Sequence, residues 1–133
     1  MSYWDWNAWR CRVAIDVGTA FCRVAAESCG IVTFPTTMSA NPPLRRGVVV
    51  EKDRLVELIR PWLRKAKGLG LFGPMVLAGA PTDVQFSERK ALTMALQQAG
   101  AARVQIVPEP LAAALGAGLD ISSPYAQMIV DIG

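Results

Sequence analysis

Apolar positions along this chain recur with two periods, and they sort it into strands and helices. Residues 12–17 form an apolar run that reads as a buried strand ending at Asp16-Val17-Gly18-Thr19, with a tight turn at Gly18. Residues 23–26 and 30–34 read as second and third strands, an antiparallel meander closed by the turn-prone stretch 28–30. Residues 35–46, which hold Pro35, Asn41, Pro42 and Pro43, read as a loop leading to a short strand at 47–50. Across 52–67, Leu55, Leu58, Ile59, Trp62, Leu63 and Ala66 fall on one side of a helix with charges between them. Pro61 removes one backbone donor there, so a kink near 57–61, or two shorter helices, is expected.

The glycine-rich stretch 68–74 ends that helix, and 75–78 is a short apolar run suited to a strand buried on both faces. A helix then starts at Ser87, carries Ala91, Leu92, Ala95, Leu96 and Ala99 as its stripe, and stops at Gly100. A strand at 104–107 follows, then a helix over 111–118 with Pro110 as its first residue, and a last strand at 126–132 running into Gly133. Strand, meander, then strands alternating with helices is an α/β order: a mixed sheet with helices on both faces. No internal repeat or linker divides it.

Composition narrows the function classes. With 133 residues and 52% apolar content, the chain holds one core. A net charge of +3 spread without a polybasic tract does not call for nucleic acid. Cys11, Cys22 and Cys29 show no CxxC spacing and there is no histidine, so the usual zinc sets are excluded and a reduced cytoplasm fits best. No apolar run reaches the roughly 18–20 residues that span a bilayer, and the start lacks the apolar core of a secretory signal, so neither export nor spanning is expected.

Three strand ends carry candidate chemistry. In Val13-Ala14-Ile15-Asp16-Val17-Gly18-Thr19-Ala20 an apolar strand delivers an acid, a glycine and a hydroxyl to one turn. Gly18 allows close backbone approach to an anion, the amides of Thr19 and Ala20 can point at phosphate, and Asp16 can hold hydrated Mg²⁺. Taken alone the same residues more often make an ordinary hairpin turn. Glu109 follows a strand and precedes a helix, where it can orient a water toward a phosphate or simply stabilise the helix amino terminus. Asp131 in Ile129-Val130-Asp131-Ile132-Gly133 repeats the order of the first motif.

In this order the pieces resemble MreB, the bacterial actin-like cell-shape family within the actin/Hsp70/sugar-kinase superfamily. The resemblance rests on Ile15-Asp16-Val17-Gly18-Thr19-Ala20, on Val130-Asp131-Ile132-Gly133 and above all on Val107-Pro108-Glu109-Pro110-Leu111-Ala112-Ala113-Ala114-Leu115-Gly116-Ala117-Gly118. Pro43-Leu44-Arg45-Arg46-Gly47-Val48-Val49 and the helix near Ser87 also look like MreB counterparts. It implies a ribonuclease-H-like first subdomain of the actin fold, without the small inserted subdomain, over residues 12–133 after a tryptophan-rich segment at 1–11. It implies ATP with Mg²⁺ as cofactor: Asp16, Gly18, Thr19, Ala20, Asp131 and Gly133 at the nucleotide, Asp16 and Asp131 at the metal, and Glu109 as the catalytic acid that positions the attacking water.

Departures accompany it. Phe21 and Cys22 stand where small polar residues are usual, removing hydrogen-bonding groups from the phosphate side, and Pro108 replaces a usual acid. The chain stops at Gly133, inside the second phosphate loop, so the adenosine half is expected to be missing and nucleotide binding by this chain alone weak or absent. The function expected is a truncated cell-shape scaffold that assembles with itself or a full-length relative; the alternatives are half of a split ATPase completed by another chain, and a decayed remnant. An unpaired strand at 126–132 would favour self-association.

Two segments bear on membranes. Residues 1–10 carry Trp4, Trp6, Trp9 and Tyr3, which suit a bilayer interface or packing on the domain's own core. Leu71 and Phe72 follow Arg64, Lys65 and Lys67, a pairing of apolar and cationic residues that suits a membrane surface; the matching MreB loop is implicated in such contact. A cytoplasmic location at the inner face of the membrane is the expectation.

Overall fold

The computed structural model describes residues 10–36, 43–46 and 48–130. Within them the order is β1 (Arg12–Val17), β2 (Phe21–Ala26), β3 (Gly30–Pro35), β4 (Leu44–Arg45), β5 (Val48–Val49), α1 (Lys52–Lys67), β6 (Met75–Ala80), α2 (Phe86–Ala99), β7 (Arg103–Pro108) and α3 (Glu109–Gly116). The main sheet runs β3-β2-β1-β6-β7. The β1–β2–β3 meander is antiparallel, while β6 and β7 join β1 in parallel, each after a helix. That helix-linked return is what a parallel neighbour demands.

Alternation along the strands decides which face is the core. Val13, Ile15 and Val17 of β1, Cys22 and Val24 of β2, and Val76, Ala78 and Ala80 of β6 are buried together. Onto them pack Leu55, Ile59 and Leu63 of α1 and Leu92, Leu96 and Ala99 of α2. Phe34 of β3 stacks on Trp62 of α1 with ring centroids 4.7 Å apart, and the Ser28 hydroxyl donates to the Ala66 carbonyl at 3.0 Å. These contacts pin the meander to the end of α1. Gly68, in the left-handed region at φ 55°, ends that helix by donating back to Arg64 and Lys65. At the start of α2 the Gln85 amide donates to the Glu88 carboxylate at 2.8 Å, closing a capping interaction.

The structure departs from the sequence reading in five places. α1 runs across Pro61 as one helix rather than two shorter ones, its Leu55, Ile59 and Leu63 stripe buried on both sides of the missing donor. The short strand expected at 47–50 is half of a hairpin, Leu44 facing Val49 and Arg45 facing Val48. α3 starts at Glu109, two residues before the helix read at 111–118 and ending two residues earlier. Residues 126–130 of the expected last strand form no strand: a strand needs a ladder partner, and here Gln127 instead donates to the Asp120 carbonyl at 3.0 Å while Met128 and Val130 stand exposed.

The fifth departure concerns the sheet's second face. α1 and α2 cover one side, whereas Ala14 of β1, Leu77 of β6 and Gln105 of β7, pointing the other way, remain exposed. β6 is therefore buried on one face rather than two, with Val76 at 3% exposure and Leu77 at 42%.

Candidate functional site

Asp16 is the fifth residue of β1 and, one step from the buried Ile15, points to the face away from α1 and α2. Directly across the antiparallel ladder stands Arg23, whose Nη1 donates to Asp16 Oδ2 at 2.7 Å. Both side chains are about half exposed, so this pair orients the carboxylate more than it stabilises the fold.

The chain then reverses at Gly18. The Gly18 amide donates to the Phe21 carbonyl at 3.1 Å, and its carbonyl accepts from the buried Thr36 hydroxyl at 2.7 Å. A side chain at position 18 would put Cβ 2.6 Å from the Phe21 oxygen, closer than real contacts come. Glycine is thus required for turn geometry, and the turn presents Thr19 and Ala20 at the exposed edge.

Glu109 arrives from the other side of the sheet. It opens α3 immediately after β7, with Pro110 in the first turn where a missing amide costs nothing. Its Cγ lies 3.2 Å from where a Cβ on Gly79 would sit. Gly79 pairs with Val107 in the β6–β7 ladder, and its neighbour Ala78 pairs with Ile15 of β1. Asp16 and Glu109 therefore lie on one face, at the carboxyl ends of three adjacent parallel strands, with the bare backbone of Gly79 between them. That edge is where open α/β sheets collect ligands.

Chemically, the arrangement offers one wall for a phosphate–metal group: a carboxylate held by Arg23, a turn whose backbone comes close to the surface, and a second carboxylate over a glycine. Among the described residues no three His, Cys, Asp or Glu side chains gather in a group that could hold a metal ion. Cys22 lies away from this wall. It is fully buried on the core side, its Sγ 3.2 Å from Thr36 Oγ1, and Phe21, half exposed, is the residue at the edge.

The family model described as MreB/Mbl protein matches residues 33–133. The chain belongs to the MreB/Mbl family. It is 34% identical over 100 residues to the cell shape-determining protein Mbl of Bacillus subtilis, covering 74% of this chain and 30% of that one. It is 32% identical over 101 residues to the cell shape-determining protein MreB of Escherichia coli, covering 74% and 29%. The structure superposes on MreB5 of Spiroplasma citri bound to ADP with TM-score 0.75 at 24% identity, covering 86% of this chain and 43% of that one. On the MamK double helical filament the TM-score is 0.72 at 13% identity, covering 82% and 44%. These likenesses establish part of an actin fold, and the chain spans about a third of the length of the MreB and Mbl relatives.

Of the MreB-type site residues read from sequence, the structure brings Asp16, Gly18, Thr19, Ala20 and Glu109 to one sheet edge. Asp131 and Gly133 lie outside the described residues, as do Trp4, Trp6 and Trp9. Leu71 and Phe72 stand in the loop before β6, 89% and 42% exposed. Sequence reasoning missed Arg23, Gly79 and Thr36. Arg23 was legible in principle, as the cation seven residues after Asp16 across a hairpin; Gly79 and Thr36 depend on ladder register and long-range packing.

Proposed function

We propose that this chain acts as a partial MreB-like cytoskeletal element that co-assembles with itself or with a full-length relative, and binds MgATP weakly or not at all alone. The observation that supports this reading is the carboxyl edge, where Glu109 is seated over Gly79 on the face that Asp16 shares, in a chain that spans about a third of its MreB and Mbl relatives. Solved relatives described as bound to ADP and to AMPPNP align with this chain over 43% of their own length. In such a frame Asp16 would hold the hydrated Mg²⁺, the turn at Gly18, Thr19 and Ala20 would approach phosphate, and Glu109 would orient water. Bound MgATP would supply the phosphoanhydride that hydrolyses.

Affinity in a clamp of this type comes from both sides. Each lost charge-assisted hydrogen bond removes about 1.5–3 kcal/mol, so losing several takes a micromolar site to millimolar or weaker. Calorimetric titration of MgATP into the 133-residue chain is expected to give no micromolar binding; a micromolar isotherm would overturn the reading. The alternative of a split ATPase is favoured by one feature, the retained catalytic wall with Glu109 seated over Gly79, and predicts that hydrolysis returns when a second chain supplies the opposite half.

Membrane attachment belongs to the same proposal. Leu69, Leu71 and Phe72 project beside Arg64, Lys65 and Lys67 at the end of α1, and Arg10 stacks over the Phe72 ring at 5.0 Å. That contact holds Arg10, the first of the described residues, against the loop. Among the described residues no helix is long and apolar enough to cross a membrane, so a peripheral mode at the cytoplasmic face is the form proposed.

A further inference from the structure

On the uncovered face the strand register lines side chains up in rows, and the row next to the first turn is Thr33 of β3, Arg23 of β2 and Asp16 of β1. Arg23 is the cation of that row. Its neighbours Cys22 and Val24 are buried in the core, so its own side chain stands on the face that Asp16 shares. It meets the carboxylate through one nitrogen, Nη1 to Oδ2 at 2.7 Å, and stays 57% exposed. A guanidinium carries five N–H donors in a planar fork, so a bond made through one nitrogen leaves donors for a second acceptor.

The hairpin that carries this pair turns at Gly18, with Thr19 and Ala20 exposed at its tip just beyond the Asp16–Arg23 rung. Backbone amides and a guanidinium on one hairpin suit the same anion. We propose that Arg23 is a phosphate ligand of this edge and that, by holding Asp16, it competes with a divalent cation for that carboxylate. The edge then takes a polyphosphate through the guanidinium rather than through a metal ion on Asp16. This rests on the reading of the carboxyl edge as phosphate-facing, and it names the form of the ligand. An exposed ion pair is weak and opens readily, whereas a guanidinium and a phosphate make paired charge-assisted bonds. Glu109, the other carboxylate of this face, is seated over Gly79 of β6. β6 lies two strand spacings from β2, about 10 Å, which is roughly a Debye length at ordinary ionic strength, so repulsion from Glu109 is largely screened at Arg23. Arg12 and Arg103 are exposed on the same face but open β1 and β7, at the opposite end of the sheet.

The ¹⁵N-labelled 133-residue chain, titrated with sodium tripolyphosphate once in EDTA and once in excess Mg²⁺, tests this through the amide shifts of Thr19, Ala20 and Arg23. In EDTA these amides are expected to shift with millimolar affinity, and Mg²⁺ to leave that affinity unchanged or weaken it. In Arg23→Gln the affinity in EDTA should fall about threefold or more, and Mg²⁺ should now strengthen binding, because Asp16 is released to the cation. Arg23→Lys should keep most of the metal-free binding, and Arg103→Gln all of it. Undiminished binding by Arg23→Gln would overturn the proposal, as would an equal loss in Arg103→Gln, or Mg²⁺ strengthening binding alike in the wild type and in Arg23→Gln; each of these leaves the edge itself phosphate-facing. No shift at the three amides with or without Mg²⁺ would instead remove the phosphate-facing edge, and this proposal with it. Amide spectra that keep their dispersion elsewhere check that every variant retains its fold.

Discussion

At the scale of single residues, two positions in the first turn carry opposite kinds of constraint. Gly18 is fixed by space: a methyl group there meets the Phe21 carbonyl at 2.6 Å, so the turn must open or shift. Gly18→Ala is expected to lower stability by about 1–3 kcal/mol, read as a drop in the urea midpoint; an unchanged midpoint would show that the turn yields freely. Cys22 is fixed by burial. Desolvation holds its thiol pKa above the ordinary value despite the opposing hydrogen bond with Thr36. The folded state therefore keeps the proton that the unfolded chain gives up first. Its contribution is complete below the unfolded thiol pKa and is lost as pH rises toward the folded value. Cys11, also raised by burial, acts in the same direction. Unfolding free energy should fall with pH above the ordinary thiol range, near about 8.5, and Cys22→Ala should flatten that slope; an equal slope in the variant would contradict the assignment.

Among the elements, what was legible followed from period. The helical stripe of Leu55, Ile59 and Leu63 and the alternation in Val13, Ile15 and Val17 each mark one buried face, and both form as read. The strand expected at 126–132 shows the limit: alternating apolar residues declare a need for burial without naming a neighbour, and the described part finds none. The site was legible to the same extent. Strand, acid, glycine and turn are local, so Asp16 and Gly18 could be read directly, whereas the seat of Glu109 over Gly79 depends on the parallel register of β6 and β7. The loop between α1 and β6 is the element that makes a membrane prediction. Leu71 makes little use of its apolar surface within the fold, and Phe72 stays partly exposed beneath the Arg10 guanidinium. Replacing Leu71 and Phe72 by Ser is expected to reduce co-sedimentation with anionic liposomes about tenfold, with little change in melting temperature; undiminished binding would reject the loop as a contact.

The molecule as a whole is a sheet with one finished face and one finished wall. Its core lies between the sheet and the α1–α2 layer, while the carboxyl edge holds Asp16 and Glu109 facing outward, and MreB and Mbl relatives continue well beyond the matched span. Under the proposed function location and affinity are separate questions, because the edge proposed to face phosphate would be present even where binding is weak. Nuclear magnetic resonance with the Mn²⁺ complex of ATP at millimolar concentration measures location without requiring tight binding. The amides of Thr19, Ala20, Gly79 and Glu109 should broaden together, with those of Ala66 and Ala95 in the helical layer spared. Broadening centred on the basic end of α1, or spread evenly over the chain, would contradict a shared crevice at Asp16 and Glu109.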